Sequence, residues 1–319
     1  MTPVYIIEYE GKDVTNDFSP LLESIIFREY LENKAAELEL VFNNSAAYFL
    51  NDWYPAINDK LTAKLGYKEG TLINAGTFYV DDITLMGGRY GETASFRAIS
   101  AYASTIYSDE QRKNREGAAL QELVDEEASR LNYSAKGDLS GTWSGFQKGT
   151  GFQFLEQLAR ETGRVMKVEA TDLIFFLLSS VKKGVVVGII DKADVIDYSL
   201  TDKAAGRISK CTVKHWDKAR KQLIKGVYDC GITGGGSRTI WEEVADASAA
   251  AERAKNYVEN WNKQGVRFDI TIPGNVDYRA GVRLTVTGFG RFDKTWYIAE
   301  AQHVMSKTGG YTTTITLQE

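Results

Sequence analysis

The chain of 319 residues has 38 basic and 43 acidic side chains, which gives a formal net charge of −5. This length suffices for two or three domains, and the balance of 43% hydrophobic and 25% charged residues excludes global disorder. Binding to nucleic acid depends largely on an excess of lysine and arginine that neutralises phosphates, and this chain has no such excess. We therefore expect neither sequence-independent nucleic-acid binding nor a specific nucleic-acid partner.

The apolar runs of the sequence are short. The longest, residues 173–178 and 185–190, fall far short of the roughly 20 residues that a membrane-spanning helix needs. Met1 begins no pattern typical of a secretory signal peptide. We therefore expect a soluble protein that is not exported by that route and has no membrane partner.

β-Strand patterning dominates the first hundred residues. Apolar and polar side chains alternate over residues 4–9, 37–42 and 60–67, which is typical of strands with one buried face. Turn-forming pairs such as Glu10-Gly11 separate these segments. We predict a first β domain over residues 1–103, with the spacing of an antiparallel sandwich or barrel.

The periodicity changes to that of a helix after residue 117. Apolar residues between Leu120 and Leu131 fall on one helical face, and Thr150 begins a second helix with the form of a capping box. Gly163 is predicted to end that helix, and strands over 164–168 and 173–178 follow. We predict a small α+β domain over residues 104–183.

β-Patterning returns near Val185 and continues to the last strand, predicted over residues 311–317. A helix over residues 243–262 interrupts it, with a predicted buried stripe formed by Val244, Ala247, Ala251, Ala254, Val258 and Trp261. Because most of these side chains are small, we expect the helix to lie flat against a sheet or against a helix of another subunit. Residues 184–319 are predicted to form a second β domain.

The two β domains contain similar hairpins. Leu65-Gly66-Tyr67 precedes an aromatic strand at residues 76–82, and Thr287-Gly288-Phe289 precedes another at residues 294–300. The connections differ in length, and the preceding apolar positions are offset by one residue. Internal duplication and a chance likeness between hairpins therefore both remain open.

Histidines and cysteines are scarce, with two of each in the chain. His215 and His303 are each expected to be partly exposed strand residues, and neither lies in a zinc-binding motif. Cys211 and Cys230 are predicted on neighbouring strands and are expected to be reduced, buried thiols. We expect no metal site and no histidine-dependent catalytic triad.

Pairs of carboxylates could still support a glycosidase. Asp81 and Asp82 are neighbours on a predicted strand, so their side chains are expected to point to opposite faces and not to share a site. Glu126 and Glu127 are expected on the solvated face of a helix. We therefore assign no catalytic residue.

Two glycine-containing segments could be mistaken for nucleotide sites. Residues 145–150 place their lysine before the final glycine, unlike a phosphate-binding loop, and Gly288-Phe289-Gly290 joins two predicted strands without opening a helix. We expect no cofactor.

Several segments along the chain have motifs of a known protein family. In chain order they are residues 11–15, Gly66-Tyr67 with 76–82, 152–163, Ala280-Gly281-Val282, His303 and 309–313. They look like the Gly-x-Asp-Val-Thr turn, the Gly-Tyr and Gly-x-Phe-x-Val-Asp hairpin, the Phe-Leu-x-x-Leu-Ala helix and the closing strands of the bacteriophage late control gene D family. That family comprises tail hub proteins of contractile phages and related injection machines. The resemblance covers nearly the whole chain and extends to the N-terminal part of type VI secretion spike proteins.

The resemblance implies two related tube-type β-barrel domains flanking the small α+β domain. It further implies a homotrimer whose six barrels adapt a sixfold tail tube to a threefold central spike. The implied partners are a second and third copy of the chain, a trimeric spike, a tail tube or tube-initiator protein, and also tape measure and baseplate wedge proteins. The implied location is the baseplate of a virion or phage-like particle, assembled in the bacterial cytoplasm.

Two other classes of function remain as alternatives. A tail-associated cell-wall hydrolase would depend on one or two acidic residues. A β-rich glycan-binding module would expose tryptophans such as Trp53, Trp143 or Trp241 for stacking on sugars.

Overall fold

A computed structural model describes residues 2–32, 34–89, 91–100, 110–169, 172–203, 206–263 and 265–319. The chain is mainly β, with one large sheet and several small ones. The prediction of β regions flanking an α+β region is confirmed. The predicted boundary at residues 103 and 104 lies outside the described residues, and the three-domain division stays a prediction.

The first β unit contains residues 3–99. Its elements are β1 (Pro3–Tyr9), β2 (Lys12–Asp13), α1 (Thr15–Phe18), β3 (Leu22–Tyr30), β4 (Glu37–Asn43), β5 (Lys60–Tyr67), β6 (Leu72–Gly88) and β7 (Gly91–Ile99). The strands pair antiparallel, and the inward side of the alternating pattern forms a core rich in phenylalanine, including Phe27, Phe42 and Phe78. The predicted alternation is therefore confirmed.

The middle unit follows with two small sheets and three helices. Its elements are β8 (Gln111–Ala119), α2 (Leu120–Arg130), β9 (Ser134–Gly137), β10 (Thr142–Gly149), α3 (Gly151–Glu161), β11 (Arg164–Glu169), β12 (Asp172–Leu177) and α4 (Leu178–Val181). The predicted capping box is confirmed: the Thr150 hydroxyl accepts from the Gln153 backbone N–H at 3.4 Å, and the Gln153 side chain accepts from that of Thr150 at 3.0 Å. Gly163 has a φ of +68° just after the helix, as its predicted role requires.

The last part of the chain contains two interleaved sheets. Its elements are β13 (Val186–Asp191), β14 (Asp197–Asp202), β15 (Ile208–Asp217), β16 (Gln222–Asp229), β17 (Gly236–Trp241), α5 (Ala247–Asn262), β18 (Val266–Pro273), β19 (Arg283–Thr287), β20 (Thr295–Ser306) and β21 (Gly310–Gln318). We call β13, β14 and β18 to β21 the second β unit. The inserted unit is β15 to β17 with α5.

Helix α5 packs flat on the sheet of the inserted unit, as predicted. It begins at Ala247, four residues later than predicted, because the Asp246 side chain caps the helix by accepting from the Ala249 backbone N–H at 2.8 Å. Its buried stripe also differs from the prediction. Ala250 is buried in place of the predicted Ala247, which is exposed in the first turn of the helix. Trp261, also predicted to be buried, is half-exposed in the last turn.

The two β units share one continuous sheet. β20 of the second unit pairs antiparallel with β3 of the first, from Glu300 opposite Tyr30 to Ser306 opposite Ser24. The sheet consequently runs β2-β1-β5-β6-β7-β4-β3-β20-β21-β18-β14, with β19 and β13 attached beside the start of β20.

Both β units have the same strand order. Leaving out the two-residue β2, the first unit runs β1-β5-β6-β7-β4-β3 and the second runs β13-β19-β20-β21-β18-β14. In each case these are the first, fourth, fifth, sixth, third and second strands of the unit along the chain. Only the first pairing differs, since β1 and β5 are antiparallel whereas β13 and β19 are parallel.

A β-bulge marks the same position in both units. The β6–β7 register shifts between Val80 and Asp82, and the β20–β21 register shifts between Ile298 and Glu300. The two similar hairpins of the sequence align these residues with each other. The likeness seen in the hairpins therefore extends to six strands and one bulge, which favours duplication over chance.

Candidate assembly surfaces

The structure separates the two histidines. His215 is half-buried on β15 of the inserted unit, as predicted, whereas His303 is fully buried on β20 in the shared sheet. The prediction of partial exposure for His303 was wrong because β20 has strands on both sides and its inward positions enter the core.

His303 is a packed polar group of the joint between the β units. Its Nδ1 lies 2.9 Å from the Tyr311 hydroxyl and 3.2 Å from the Thr313 hydroxyl, and its ring stacks on Phe27 with centroids 5.8 Å apart. Burial lowers the pKa of His303 to about 4, an effect that the nearby Glu29 carboxylate only partly opposes.

Acid is expected to destabilise the protein through His303. Because the folded pKa lies below the unfolded value of about 6.5, the stabilising contribution of neutral His303 is complete above that pH and is lost as the pH falls toward 4, by at most about 3 kcal/mol. Denaturant unfolding at pH 7 and 4.5 should show a smaller loss for His303→Phe, which keeps a stacked ring but cannot titrate.

The matched control for this pH experiment is His215→Phe, at the half-buried histidine. It should lose as much stability in acid as the unmodified protein does. An equal loss in His303→Phe and in the unmodified protein would show that His303 does not titrate in this range.

Asp81 and Asp82 do not point apart. The bulge between Val80 and Asp82 breaks the alternation, and the same Arg97 Nη2 lies 2.8 Å from a carboxylate oxygen of Asp81 and 3.9 Å from one of Asp82. The expectation of opposite faces was therefore wrong. The pair is held by an arginine on the neighbouring strand, which is a structural arrangement.

The two glutamates of α2 have different environments. Glu126 lies at the surface, where hydrogen bonds from Arg115 and Lys113 hold its pKa below the usual value. Glu127 is fully buried, contrary to the prediction of a solvated face, and it accepts hydrogen bonds from Arg130 at 2.7 Å and Gln147 at 2.7 Å. Both carboxylates therefore have basic or amide partners in the fold.

Glu29 joins three parts of the chain, and it was not among the residues that the sequence pattern indicated. It is 2% exposed on β3, and its carboxylate accepts from Lys167 of β11 at 2.6 Å and from Arg279, which precedes β19, at 2.9 and 3.0 Å. Burial raises the pKa of the Glu29 carboxyl, but the two cations outweigh burial and hold the pKa below its usual value. Ile25, Phe27 and Glu29 occupy alternate positions of the sequence and so point to the same side of a strand. A charged residue in such a row of apolar residues was the signal that could have indicated a buried ion pair.

The cysteines are both free thiols. Cys211 is buried on β15, and Cys230 is half-buried just after β16, so only the first matches the prediction of a buried thiol. Burial raises the pKa of the Cys211 thiol to about 11, which keeps it protonated and unreactive near neutral pH.

Charged side chains line one cleft of the structure. This cleft, of about 500 Å³, has both cations and carboxylates on its wall, including Lys182, Asp202, Arg207 and Glu259. Across the described residues, no three histidine, cysteine or acidic side chains cluster as metal ligands would. None of the helices in those residues is long and apolar enough to cross a bilayer.

Large apolar side chains are exposed at several places, and three segments contain groups of them. The groups are Tyr48, Leu50, Trp53, Tyr54 and Ile57 between β4 and β5; Val185, Val187, Ile189, Ile196 and Tyr198 in or just before β13 and β14; and Trp216, Leu223, Val227 and Trp241 on the inserted sheet. Surfaces of this kind commonly contact other proteins. Among the tryptophans considered for sugar binding, Trp143 is buried and donates its indole N–H to Glu161 at 2.8 Å.

No family model and no curated protein matches the sequence. Solved structures do match the fold. A tail protein from Neisseria meningitidis is 14% identical, with a TM-score of 0.75 over 100% of this chain and 97% of that one. The 43 kDa tail protein of prophage MuSo2 from Shewanella oneidensis is 18% identical, with a TM-score of 0.74 over 99% and 98% of the two chains.

A more distant match is a type VI secretion component from E. coli, described as similar to tail proteins of bacteriophage T4. It is 10% identical, with a TM-score of 0.54 over 93% of this chain and 73% of that chain. The chain therefore has the fold of phage tail proteins and of a related secretion component.

Proposed function

We propose that the chain is a structural tail hub of a contractile phage tail or phage-like injection particle, of the late control gene D type. The observation that carries this proposal is the repeated six-strand order within a fold like that of phage tail proteins. Its domains would be residues 1–103, 104–183 and 184–319.

The repeat provides a physical basis for adapting symmetry. A trimer of chains that each contain two similar β units presents six similar units, so one face can match a sixfold tube while the trimer keeps threefold symmetry for a central spike. The partners would be two more copies of the chain, a trimeric spike, a tail tube or tube-initiator protein, and tape measure and baseplate wedge proteins. Such a particle would be assembled in the bacterial cytoplasm.

The role we propose is architectural and not enzymatic. The acidic pairs that a hydrolase could use are held by arginine, lysine or glutamine, and His303 is packed inside the sheet. The exposed Trp53 and Trp241 lie within larger groups of apolar side chains. Such groups are better suited to contacts with another protein than to binding a polar sugar.

The absolute mass of the chain tests this proposal. Light scattering behind a sizing column, with and without a trimeric spike encoded beside the gene, should give a mass near three times 35.5 kDa in at least one condition. A monomer in both conditions would overturn the trimeric hub. Peptidoglycan cleavage or saturable glycan binding by such a monomer would then favour one of the alternatives.

A further inference from the structure

One side of the inserted sheet is largely exposed. Alternate residues of its strands pack on α5 and belong to the core there, among them Val213 and Ile224. The residues between them point to the opposite side of the sheet. We call that side the outer face. Its exposed large apolar side chains are Trp216, Leu223, Val227 and Trp241.

The outer face is also basic. Lys210, Lys214 and Lys225 lie on it between the apolar side chains, and three more cations lie in the turn at residues 217–221. Residues 208–241 contain seven basic and two acidic side chains, a formal net charge of +5, although the whole chain has a net charge of −5. Positive charge is therefore concentrated in this small sheet.

Two of these lysines lie side by side without a counter-ion. Lys214 of β15 is directly opposite Lys225 of β16, and like charges in this position repel each other. The Lys214 Nζ also lies 5.7 Å from the centre of the Trp241 ring. Within the described residues neither lysine forms an ion pair, and the ion pairs of the inserted unit are made by Arg220 and Arg253. A carboxylate placed over the two lysines would be attracted by both.

The apolar side chains favour a protein over a nucleic acid as the occupant of the outer face. Single-stranded nucleic acid binds through aromatic rings on which bases stack and through cations along its backbone. Leu223, Lys225 and Val227 alternate along the outer face of β16, and Leu223 lies opposite Trp216. Aliphatic side chains offer no ring for stacking, but they do pack against the apolar side chains of a peptide.

The size of the outer face suits a short segment of chain. Three strands about 4.8 Å apart, followed for about 20 Å from Lys210 to Trp216, give an area of roughly 300 Å². That is less than half of the roughly 800 Å² that each partner buries in an interface of standard size. An extended peptide segment covers such an area, whereas a stable contact between two folded surfaces needs more.

We propose that the outer face of the inserted sheet binds an acidic segment of another protein, in which apolar side chains alternate with carboxylates on the side that contacts the sheet. The carboxylates lie over Lys214 and Lys225, and the apolar side chains pack against Trp216, Leu223 and Val227. The proposal goes beyond the tail hub proposed above, since the outer face is complete within one chain.

A synthetic peptide tests the chemistry of the partner. The probe is a fluorescein-labelled peptide of Leu-Ser-Glu-Ser repeats, about ten residues long, which places leucine and glutamate alternately on one side of an extended chain. Fluorescence anisotropy with the full-length chain at low salt should show saturable binding that weakens as salt screens the charges. Peptides with lysine in place of glutamate, or serine in place of leucine, should bind more weakly. Absence of saturable binding by the acidic peptide would overturn the proposal.

Charge reversal of the lysine pair tests the location. Lys214→Glu/Lys225→Glu should weaken peptide binding by about tenfold or more, because it places carboxylates against those of the peptide. The matched control is Lys64→Glu/Lys68→Glu, at two exposed lysines of the first β unit, which changes the net charge by the same amount. Equal losses in the two variants would show that the overall charge attracts the peptide and that the outer face does not bind it.

Two further measurements test other occupants. An oligothymidylate of the same length that bound more tightly than the acidic peptide would assign the outer face to single-stranded nucleic acid. A lower mass of the free chain by light scattering in Lys214→Glu/Lys225→Glu than in the control would show that another copy of the chain covers the face. Either result would overturn binding of an acidic partner. Failure of the peptide to bind leaves the tail hub intact, because that proposal is decided by the mass of the unmodified chain.

Discussion

Replacing Glu29 with alanine should lower the free energy of unfolding by about 3 to 5 kcal/mol, the usual cost of removing one member of a buried ion pair. The carboxylate is 2% exposed and satisfies Lys167 and Arg279, which come from two other parts of the chain. Without it, two cations repel each other in a partly buried site. Denaturant unfolding at pH 7 measures the loss.

Glu39→Ala is the matched control, since Glu39 pairs with Arg28 at 3.1 Å but near the surface. That change should cost no more than about 1 kcal/mol. The Glu29 effect should also shrink in acid: its folded pKa lies below the unfolded value, so its contribution is present above about pH 4.3 and is lost as pH falls through the lower folded pKa. Equal losses for the two variants would contradict this role for Glu29.

Local patterns predicted the elements that local forces determine. Strands β1, β4 and β5 follow from alternation, and α3 follows from a capping box whose two hydrogen bonds involve residues three positions apart. The start of α5 was placed four residues early because apolar spacing begins before the cap, and only the Asp246 side chain marks where the helix can begin.

The misjudged residues depend on contacts between distant segments. His303 is buried because β3 pairs with β20, and these strands are far apart in the sequence. The buried Glu29 carboxylate is stabilised by ion pairs with Lys167 and Arg279, which are also far from it in the sequence. Neither burial was predicted, because a local pattern cannot say which partner makes a polar side chain acceptable inside the protein.

Duplication was visible in the sequence only as a pair of hairpins. The remaining strands of the two units have diverged, and β1 with β5 even pairs in the opposite sense from β13 with β19. Strand order survives such divergence because every strand must still cover its neighbours in the sheet. The structure therefore reveals a repeated strand order that the sequence alone left open.

Replacing Gly226 with alanine should destabilise the inserted unit by about 3 kcal/mol or more, since overpacking against backbone leaves no side chain that can yield. A Cβ at Gly226 of β16 would lie 2.1 Å from the backbone nitrogen of Ala251 and 2.2 Å from the carbonyl carbon of Ala250, both in α5. The helix would have to move away from the sheet, which would loosen the contacts of Ala254 and Val258 as well. Unfolding followed by tryptophan fluorescence measures the loss.

Gly70→Ala is the control for this experiment, because a Cβ there would meet only the Tyr67 carbonyl oxygen at 4.0 Å, an ordinary contact. It should change stability by no more than about 0.5 kcal/mol. If Gly226→Ala were equally harmless, α5 would have room to shift, and the alanines facing the sheet would not be explained by close approach. A large loss instead means that Gly226 and Ala250 together set the distance at which this helix covers the inserted sheet.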